Sequence, residues 1–218
     1  MAAAPPVCVR HLGMRAYAPT WHAMREFTDA RAAHTADEFW LLEHPGVFTL
    51  GQAGRHEHLL AAGDIEVVQS DRGGQVTYHG PGQVIMYTMV DLRRLGIGIR
   101  TLVQRLEDAV IDMLHGHGVA ADRLTGAPGV YVAGAKVAAL GLRVRNGCTY
   151  HGVALNVDVD LAPFARIEPC GYPDLAVTRL ADLGVTLDTA RAGDELAACL
   201  GARLGLALHG VAAEPDSR

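Results

Sequence analysis

Lys136 is the single lysine in a chain of 218 residues; apart from histidine, every other basic side chain is an arginine. It stands in the apolar run "VAGAKVAALG". Arginine does not give up its proton at ordinary pH, whereas a desolvated lysine can. The flanking Val132, Ala133, Val137 and Ala138 predict burial that lowers the lysine pKa. The plainer alternative is an arginine-biased composition with Lys136 snorkelling from an edge strand. That bias makes the one surviving lysine more informative. Cys170 is the second candidate, in "RIEPCGYPDLAVTRL" between Pro169 and Gly171. A structural cysteine normally sits inside an apolar strand or helix, whereas this one falls on a turn, where a thiol can face a cleft. The nucleophile is the thiolate, and a nearby ammonium lowers the thiol pKa, which Lys136 could supply. Cys199 falls on an apolar helical stripe, and Cys8 and Cys148 have no polar constellation of their own.

The segment "RGGQVTYHGPGQ", residues 72–83, carries arginine, glutamine, threonine, tyrosine and histidine among four glycines and a proline. It is too glycine-rich for a helix and too polar for a core strand. Its glycines let backbone amides approach a ligand closely, Arg72 brings a fork of donors, and His79 can donate, accept or titrate. It matches neither a dinucleotide fingerprint nor a phosphate-binding P-loop. A connector with a structural arginine is the competing reading. The density of polar side chains between two core-like strands favours a ligand cradle.

The elements that would position these residues follow from periodicity. Residues 21–33 predict an amphipathic helix, with Trp21, Met24 and Phe27/Thr28 on one side. Residues 38–51 predict two strands broken at His44-Pro45-Gly46. Residues 65–70 predict a short strand, and 84–92 one apolar on both faces and therefore central. A capping box over Thr101–Gln104 opens a helix to about Leu114, with Leu102, Leu106, Ala109, Val110 and Met113 as its stripe. Residues 129–145 read as strand, glycine turn and strand, and 149–160 as another strand. A last helix fits 189–206, weakened by Gly193 and Gly201. The expected class is α/β or α+β, a mixed sheet flanked by helices, in one domain over 1–218 with a mobile tail over 211–218.

Composition bounds the function classes. Half the residues are apolar, enough for a sizeable core, and the net charge is −5. That charge argues against a nucleic-acid protein. Four cysteines without a CxxC pair suggest neither a disulfide framework nor a zinc knuckle and fit a reducing, cytoplasmic setting. The N-terminal residues lack a signal-peptide pattern, and no apolar run is long enough for a membrane span.

The stretches "LLEHPGVFTLG", "RGGQVTYHGPGQVIMY", "GAKVAALG", "HGVALNVDVDL" and "PCGYPDLAVT" closely resemble the lipoyl(octanoyl) transferases of lipoate biosynthesis, in order and spacing from about residue 38 to 183. The resemblance implies a fold shared with biotin and lipoate protein ligases. It implies transfer of an octanoyl group from acyl carrier protein to a lysine on lipoyl domains of 2-oxoacid dehydrogenases or on the glycine cleavage H protein. Cys170 falls at the family's acyl-thioester position and Lys136 at that of its partner. Substrate-lining segments fall on Arg72, Gly73, Gly74, Gln75, Val76, Thr77, Tyr78 and His79, on Ala139, Leu140 and Gly141, and on Gly152, Val153 and Ala154. Tyr131 stands where tryptophan is frequent, a departure that touches nothing catalytic.

Both lines of reasoning lead to covalent catalysis through Cys170 with Lys136 as proton carrier. A thioester is exchanged for an amide, so no ATP, metal or other cofactor is expected. The rivals are an ATP-dependent lipoate or biotin ligase and a non-catalytic acyl-binding module. A metal site suggested by "RHEH" (55–58) and "HGH" (115–117) is outweighed, since histidines so placed are more often on the surface. His44, His79 and His151 count only as pocket residues.

Overall fold

The computed structural model describes residues 6–168 and 176–211. Cys170, and the expected tail beyond Val211, lie outside the described residues. In chain order come Val7–Met14 (β1), Tyr17–Asp29 (α1), Glu38–Glu43 (β2), Val47–Leu50 (β3), Glu66–Gln69 (β4), Val76–His79 (β5), Gln83–Met89 (β6) and a single turn Leu92–Leu95 (α2). Ile99–Gly116 (α3), Asp122–Leu124 (β7), Ala127–Val132 (β8), Ala135–Arg145 (β9), Cys148–Asn156 (β10), Thr189–Leu204 (α4) and Leu208–Val211 (β11) follow.

Among the described residues, an eight-stranded mixed sheet runs β11-β1-β2-β6-β10-β9-β8-β7, and a three-stranded sheet runs β4-β3-β5. β1 is parallel to β2 and β11, and the other pairs of the large sheet are antiparallel. This is the expected mixed sheet flanked by helices. Successive strand residues point to opposite faces, and the apolar residues divide accordingly. Phe39, Leu41, Val84, Met86, Val153 and Leu155 pack with Leu102, Leu106 and Val110 of α3 and Leu196 and Leu200 of α4. Trp40, Leu42, Ile85, Tyr87, Tyr150 and Ala154 pack with Met24 of α1. Coverage of both faces is why every residue of β6 and β10 is buried and β6 reads as a nearly continuous apolar run. The break at His44-Pro45-Gly46 sends the chain from β2 in the large sheet to β3 in the small one. The expected weakness of α4 at Gly193 is offset by packing, since a Cβ there would stand 3.2 Å from Val84 and 3.3 Å from Leu41.

Several expectations need correction. α1 starts at Tyr17 and ends at Asp29, so the helix lies four residues earlier than its pattern suggested. Thr101 does not cap α3: the helix begins at Ile99, Gly98 is its N-cap, and no side chain caps it. The start is set from upstream, where Gly96 closes α2 in the left-handed conformation and Ile97 N–H donates to the Leu92 carbonyl. The expected stripe of α3 is buried throughout. β10 stops at Asn156 because the N–H groups of Val157 and Asp158 turn to the Gly82 carbonyl. The 72–83 segment is not all loop. Its Val76–His79 portion is β5, paired antiparallel with β3, and Val76 and Tyr78 face the small core. β4, on its other side, is mostly exposed and not a core strand.

Candidate active site

A cavity of about 300 Å³ opens beside β9 and β10. The loop 72–75 crosses the middle of β9, where Gly73 N–H donates to the Leu142 carbonyl at 3.0 Å. Backbones touch there: a Cβ on Gly141 would lie 2.9 Å from the Gly73 carbonyl oxygen. Gly74 has φ +87°, a conformation that glycine adopts without a Cβ penalty. On the other strand, a Cβ on Gly152 would lie 2.0 Å from the Met86 carbonyl oxygen. These glycines thin the wall and let the cavity form inside a sheet-and-loop sandwich.

Of the residues singled out in the sequence, Arg72, Gly73, Gly74, Gln75, Val76, Thr77 and His79 line this cavity. So do Lys136, Ala139, Leu140, Gly141, Gly152, Val153 and Ala154. Tyr78 does not. Its ring packs on Phe48 and Phe164 in the small-sheet core, because alternation along β5 turns it away from its neighbours Thr77 and His79. Arg72 is buried, and Nε, Nη1 and Nη2 donate to Thr49 Oγ1 and to the carbonyls of Thr49, Gly73 and Gln75. It thus binds the loop to β3 rather than presenting its whole fork to a ligand.

Behind one part of the wall runs a network of neutral imidazoles, of which His79 and His151 line the cavity and His44 lies behind them. His44 Nδ1 bonds the Arg15 carbonyl at 2.6 Å and Nε2 bonds Tyr87 Oη at 2.7 Å. The carbonyl can only accept, so Nδ1 carries a proton; burial holds the His44 pKa down at about 4, which leaves Nε2 to accept from the Tyr87 hydroxyl at neutral pH. Gln83 Nε2 donates to Asn156 Oδ1 at 2.9 Å, and Asn156 Nδ2 donates to the Thr178 carbonyl at 2.9 Å. Gln83 Oε1 is therefore an acceptor for His79 Nδ1–H at 2.7 Å. His79 keeps Nε2 as a lone-pair acceptor, and burial pushes its pKa to about 3. His151 Nε2 lies 3.0 Å from Asp71 Oδ1. Burial lowers the His151 pKa, and the Asp71 contact opposes that shift. Burial alone would raise the Asp71 pKa, but hydrogen bonds from His151, Tyr150 and Trp21 bring it down to about 2. His151 itself has φ +62°, a strained conformation for a residue other than glycine. Tyr17 stacks on His79 at 6.0 Å, bonds Ser70 Oγ at 2.7 Å, and has its pKa raised by burial.

The other part of the wall is built round Lys136. It is buried, and Nζ donates to the Pro128 carbonyl at 3.3 Å and lies 5.2 Å from the Tyr131 ring centroid. Its backbone pairs with the chain just after residue 175: Lys136 N–H donates to the Ala176 carbonyl and Thr178 N–H donates to the Lys136 carbonyl. Upstream, Glu168 N–H donates to the His58 carbonyl.

Sequence reading missed Tyr17, Asp71, Gln83, Tyr87 and Asn156. Gln83 and Asn156 did carry a signal, as buried polar residues at the ends of otherwise apolar strands. Tyr17, Asp71 and Tyr87 join through contacts between residues far apart in sequence, from Tyr17–His44 to Asp71–His151. The histidines at 55–58 and 115–117 do not line this cavity, and His117 pairs with Glu195 at 2.6 Å. Among the described residues no group of His, Cys, Asp or Glu could hold a metal ion, and no helix is long and apolar enough to cross a membrane.

The mixed sheet that encloses this largely apolar cavity defines an α/β fold shared with solved protein ligases. The chain is similar to a lipoate protein ligase homologue from Thermoplasma acidophilum with bound lipoic acid (TM-score 0.76, 14% identity, 96% of this chain and 90% of that one). It is also similar in fold to the biotin protein ligase of Aquifex aeolicus (TM-score 0.53, 11% identity, 91% of this chain and 69% of that one). A family model described as the lipoyl protein ligase A/B catalytic domain matches residues 16–201. An octanoyltransferase of Thiobacillus denitrificans is 67% identical over 181 residues, 83% of each chain. The chain belongs to the lipoyl protein ligase A/B catalytic-domain family, in its octanoyltransferase branch, a branch of acyltransferases.

Proposed function

We propose that this chain moves an octanoyl group from octanoyl-acyl carrier protein to a lysine of lipoyl domains through a thioester on Cys170, with Lys136 as proton carrier. The acceptors would be lipoyl domains of 2-oxoacid dehydrogenases and the glycine cleavage H protein, in the cytoplasm. The observation that carries this reading is the buried Lys136 in the wall of a narrow, largely apolar cavity, on the strand that holds the residues just after the Cys170 segment. The cavity suits an unbranched acyl chain, and its imidazoles are neutral, so Lys136 is the group suited to change charge during turnover.

In the first half-reaction the Cys170 thiolate attacks the carrier thioester carbonyl. An S–C bond to Cys170 forms, the carrier S–C bond breaks, and the Lys136 ammonium gives its proton to the departing thiolate. In the second, neutral Lys136 takes a proton from the acceptor ammonium and the amine attacks the acyl-enzyme. The amide forms as the S–C bond to Cys170 breaks, the second proton of the amine leaves to solvent, and the Cys170 thiolate and the Lys136 ammonium are restored. The enzyme thus divides one difficult transfer into two easier ones. Intact-protein mass after mixing with octanoyl carrier alone should show one hydroxylamine-labile octanoyl adduct. The adduct should be absent in Cys170→Ala and retained in Cys199→Ser, and labelling that persists in Cys170→Ala would defeat the proposal. Transfer to an apo lipoyl domain should proceed with ATP omitted and chelator present; a strict ATP requirement would point to a ligase.

A further inference from the structure

The Lys136 ammonium rests on the Pro128 carbonyl at 3.3 Å. That carbonyl belongs to the same peptide unit as the Gly129 N–H, which donates to Glu107 Oε1 at 3.0 Å. In a trans peptide the two groups point in opposite directions. Glu107 therefore holds the unit from one side while Lys136 uses it from the other. Glu107 lies on α3 with its side chain 8% exposed, and its second oxygen is 3.1 Å from Arg123 Nε on β7. The clasp has little room for drift. Gly129 has φ +140°, and a Cβ there would stand 2.8 Å from the Ala138 carbonyl oxygen and 3.1 Å from Lys136 Cε. Only glycine lets this peptide lie against the lysine stem.

A carboxylate on helix α3 is an expensive thing to bury. α3 could satisfy its packing with an apolar residue at 107, as it does at 102, 106, 109, 110 and 113. We propose that Glu107 is a positioning residue for the acyl transfer: through the 128–129 peptide it fixes where the Lys136 ammonium stands over the cavity, and Arg123 keeps its carboxylate aimed. This inference rests on the acyl-transfer role of Lys136. Glu107 itself touches neither the acyl chain nor the acceptor. Its role is to keep the carbonyl that holds the ammonium from turning away. Partners of this outer kind typically cost 10–100-fold in activity when removed, as measured at metal sites.

The test is a mutant cycle on octanoyl transfer from octanoyl carrier to an apo lipoyl domain, followed by intact mass of the acceptor over hours. Glu107→Met keeps helix propensity and volume but removes the acceptor. Glu107→Asp keeps the charge and the Arg123 pairing but withdraws the carboxylate by one methylene, and serves if the Met variant folds poorly. Both should lose about 10–100-fold in kcat. Glu107→Gln still offers an oxygen to the Gly129 N–H and should stay within about threefold, the difference between a charged and a neutral acceptor. In a Lys136→Ala background the same Glu107 substitutions should cost nothing further, since coupled residues are non-additive. Wild-type rates in both Glu107→Met and Glu107→Asp, or an equal loss in the two backgrounds, would overturn the positioning role and leave the acyl-transfer reading standing. A wild-type rate in Lys136→Ala alone would instead remove the reading on which it rests.

Discussion

The two parts of the cavity wall handle buried polarity in opposite ways. Around Lys136 a cation meets the Pro128 carbonyl and the face of Tyr131. Around Tyr17, His44, His79, Tyr87 and His151 the polar groups hydrogen-bond one another through tyrosine, glutamine, asparagine and one carboxylate. His151 pairs across to Leu142, six residues along β9 from Lys136, or roughly 20 Å at the rise of a strand. The imidazoles are kept neutral by burial, with His44 near 4 and His79 near 3. The lysine stands apart as the one residue of its type in the chain. The contrast shows two ways of burying polarity in one cavity. The imidazole part keeps its histidines neutral around a single carboxylate, whereas the lysine part sets a cation against a carbonyl and an aromatic ring.

The comparison breaks most sharply at Lys136. Replacing it by arginine keeps a cation but removes the ability to lose a proton. Lys136→Arg should cost roughly 10²–10⁴-fold in overall transfer, the usual contribution of a general acid–base group. The pH dependence of iodoacetamide alkylation at Cys170 should remain nearly that of the wild type. Alkylation shifted as far as in Lys136→Ala would show that positive charge is not what the cysteine senses.

Between the two parts lies Ala139, in the wall where β9 faces β10. Ala139→Phe should fill the slot and slow acylation of Cys170 by about 10²-fold, on the scale of a misplaced reacting group, with an unchanged circular dichroism spectrum. Gly74→Val is a poorer probe, because φ +87° at Gly74 would add backbone strain to any blockage. Rapid acylation in Ala139→Phe would mean that the acyl chain takes another route.

Acid sharpens the comparison from the imidazole side. A histidine whose folded pKa is depressed binds its proton more readily in the unfolded chain. Stability contributed by neutral burial is then complete above about pH 6.5 and lost as pH falls toward the folded values near 4 for His44 and 3 for His79. Each such histidine adds a slope of up to about 1.4 kcal/mol per pH unit over that window. Asp71, depressed to about 2 by its donors, adds a loss only below about pH 4. Denaturant midpoints between pH 7 and 4 should fall in the wild type and fall less steeply in His44→Gln. Parallel slopes in the two proteins would mean that His44 is not held neutral.

Tyr78 gives the smallest expected effect. Tyr78→Phe keeps the ring contacts with Phe48 and Phe164 outside the cavity, so transfer should stay within about twofold, as for changes away from special features. A tenfold loss would return Tyr78 to the site.

Much of this was legible from the chain because it depends on local rules. Apolar runs at strand period gave β6, β8, β9 and β10, proline and glycine marked the break after β2, and a helical stripe gave α3. The cavity lining by the 72–79 segment was suggested by glycines and polar side chains between two strands, whereas that by Ala139–Gly141 and Gly152–Ala154 was implied only by the family resemblance. The helix starts were less legible: α3 begins where α2 ends, and that is set by a left-handed Gly96 rather than by Thr101. The facing of Tyr78 was hidden too, because segment 76–79 had to be recognised as a strand before its alternation could be applied. The neutral state of His44 and His79, the Asp71 hub and the clasp from Arg123 through Glu107 to Lys136 could not be read from the sequence. Each joins residues far apart in the chain, and hydrogen-bond direction and burial exist only once those residues meet. Residue types and their spacing set which groups were available for chemistry; tertiary contact decided which of them are held neutral and which are fixed in place, because burial and hydrogen-bond direction exist only once distant residues meet.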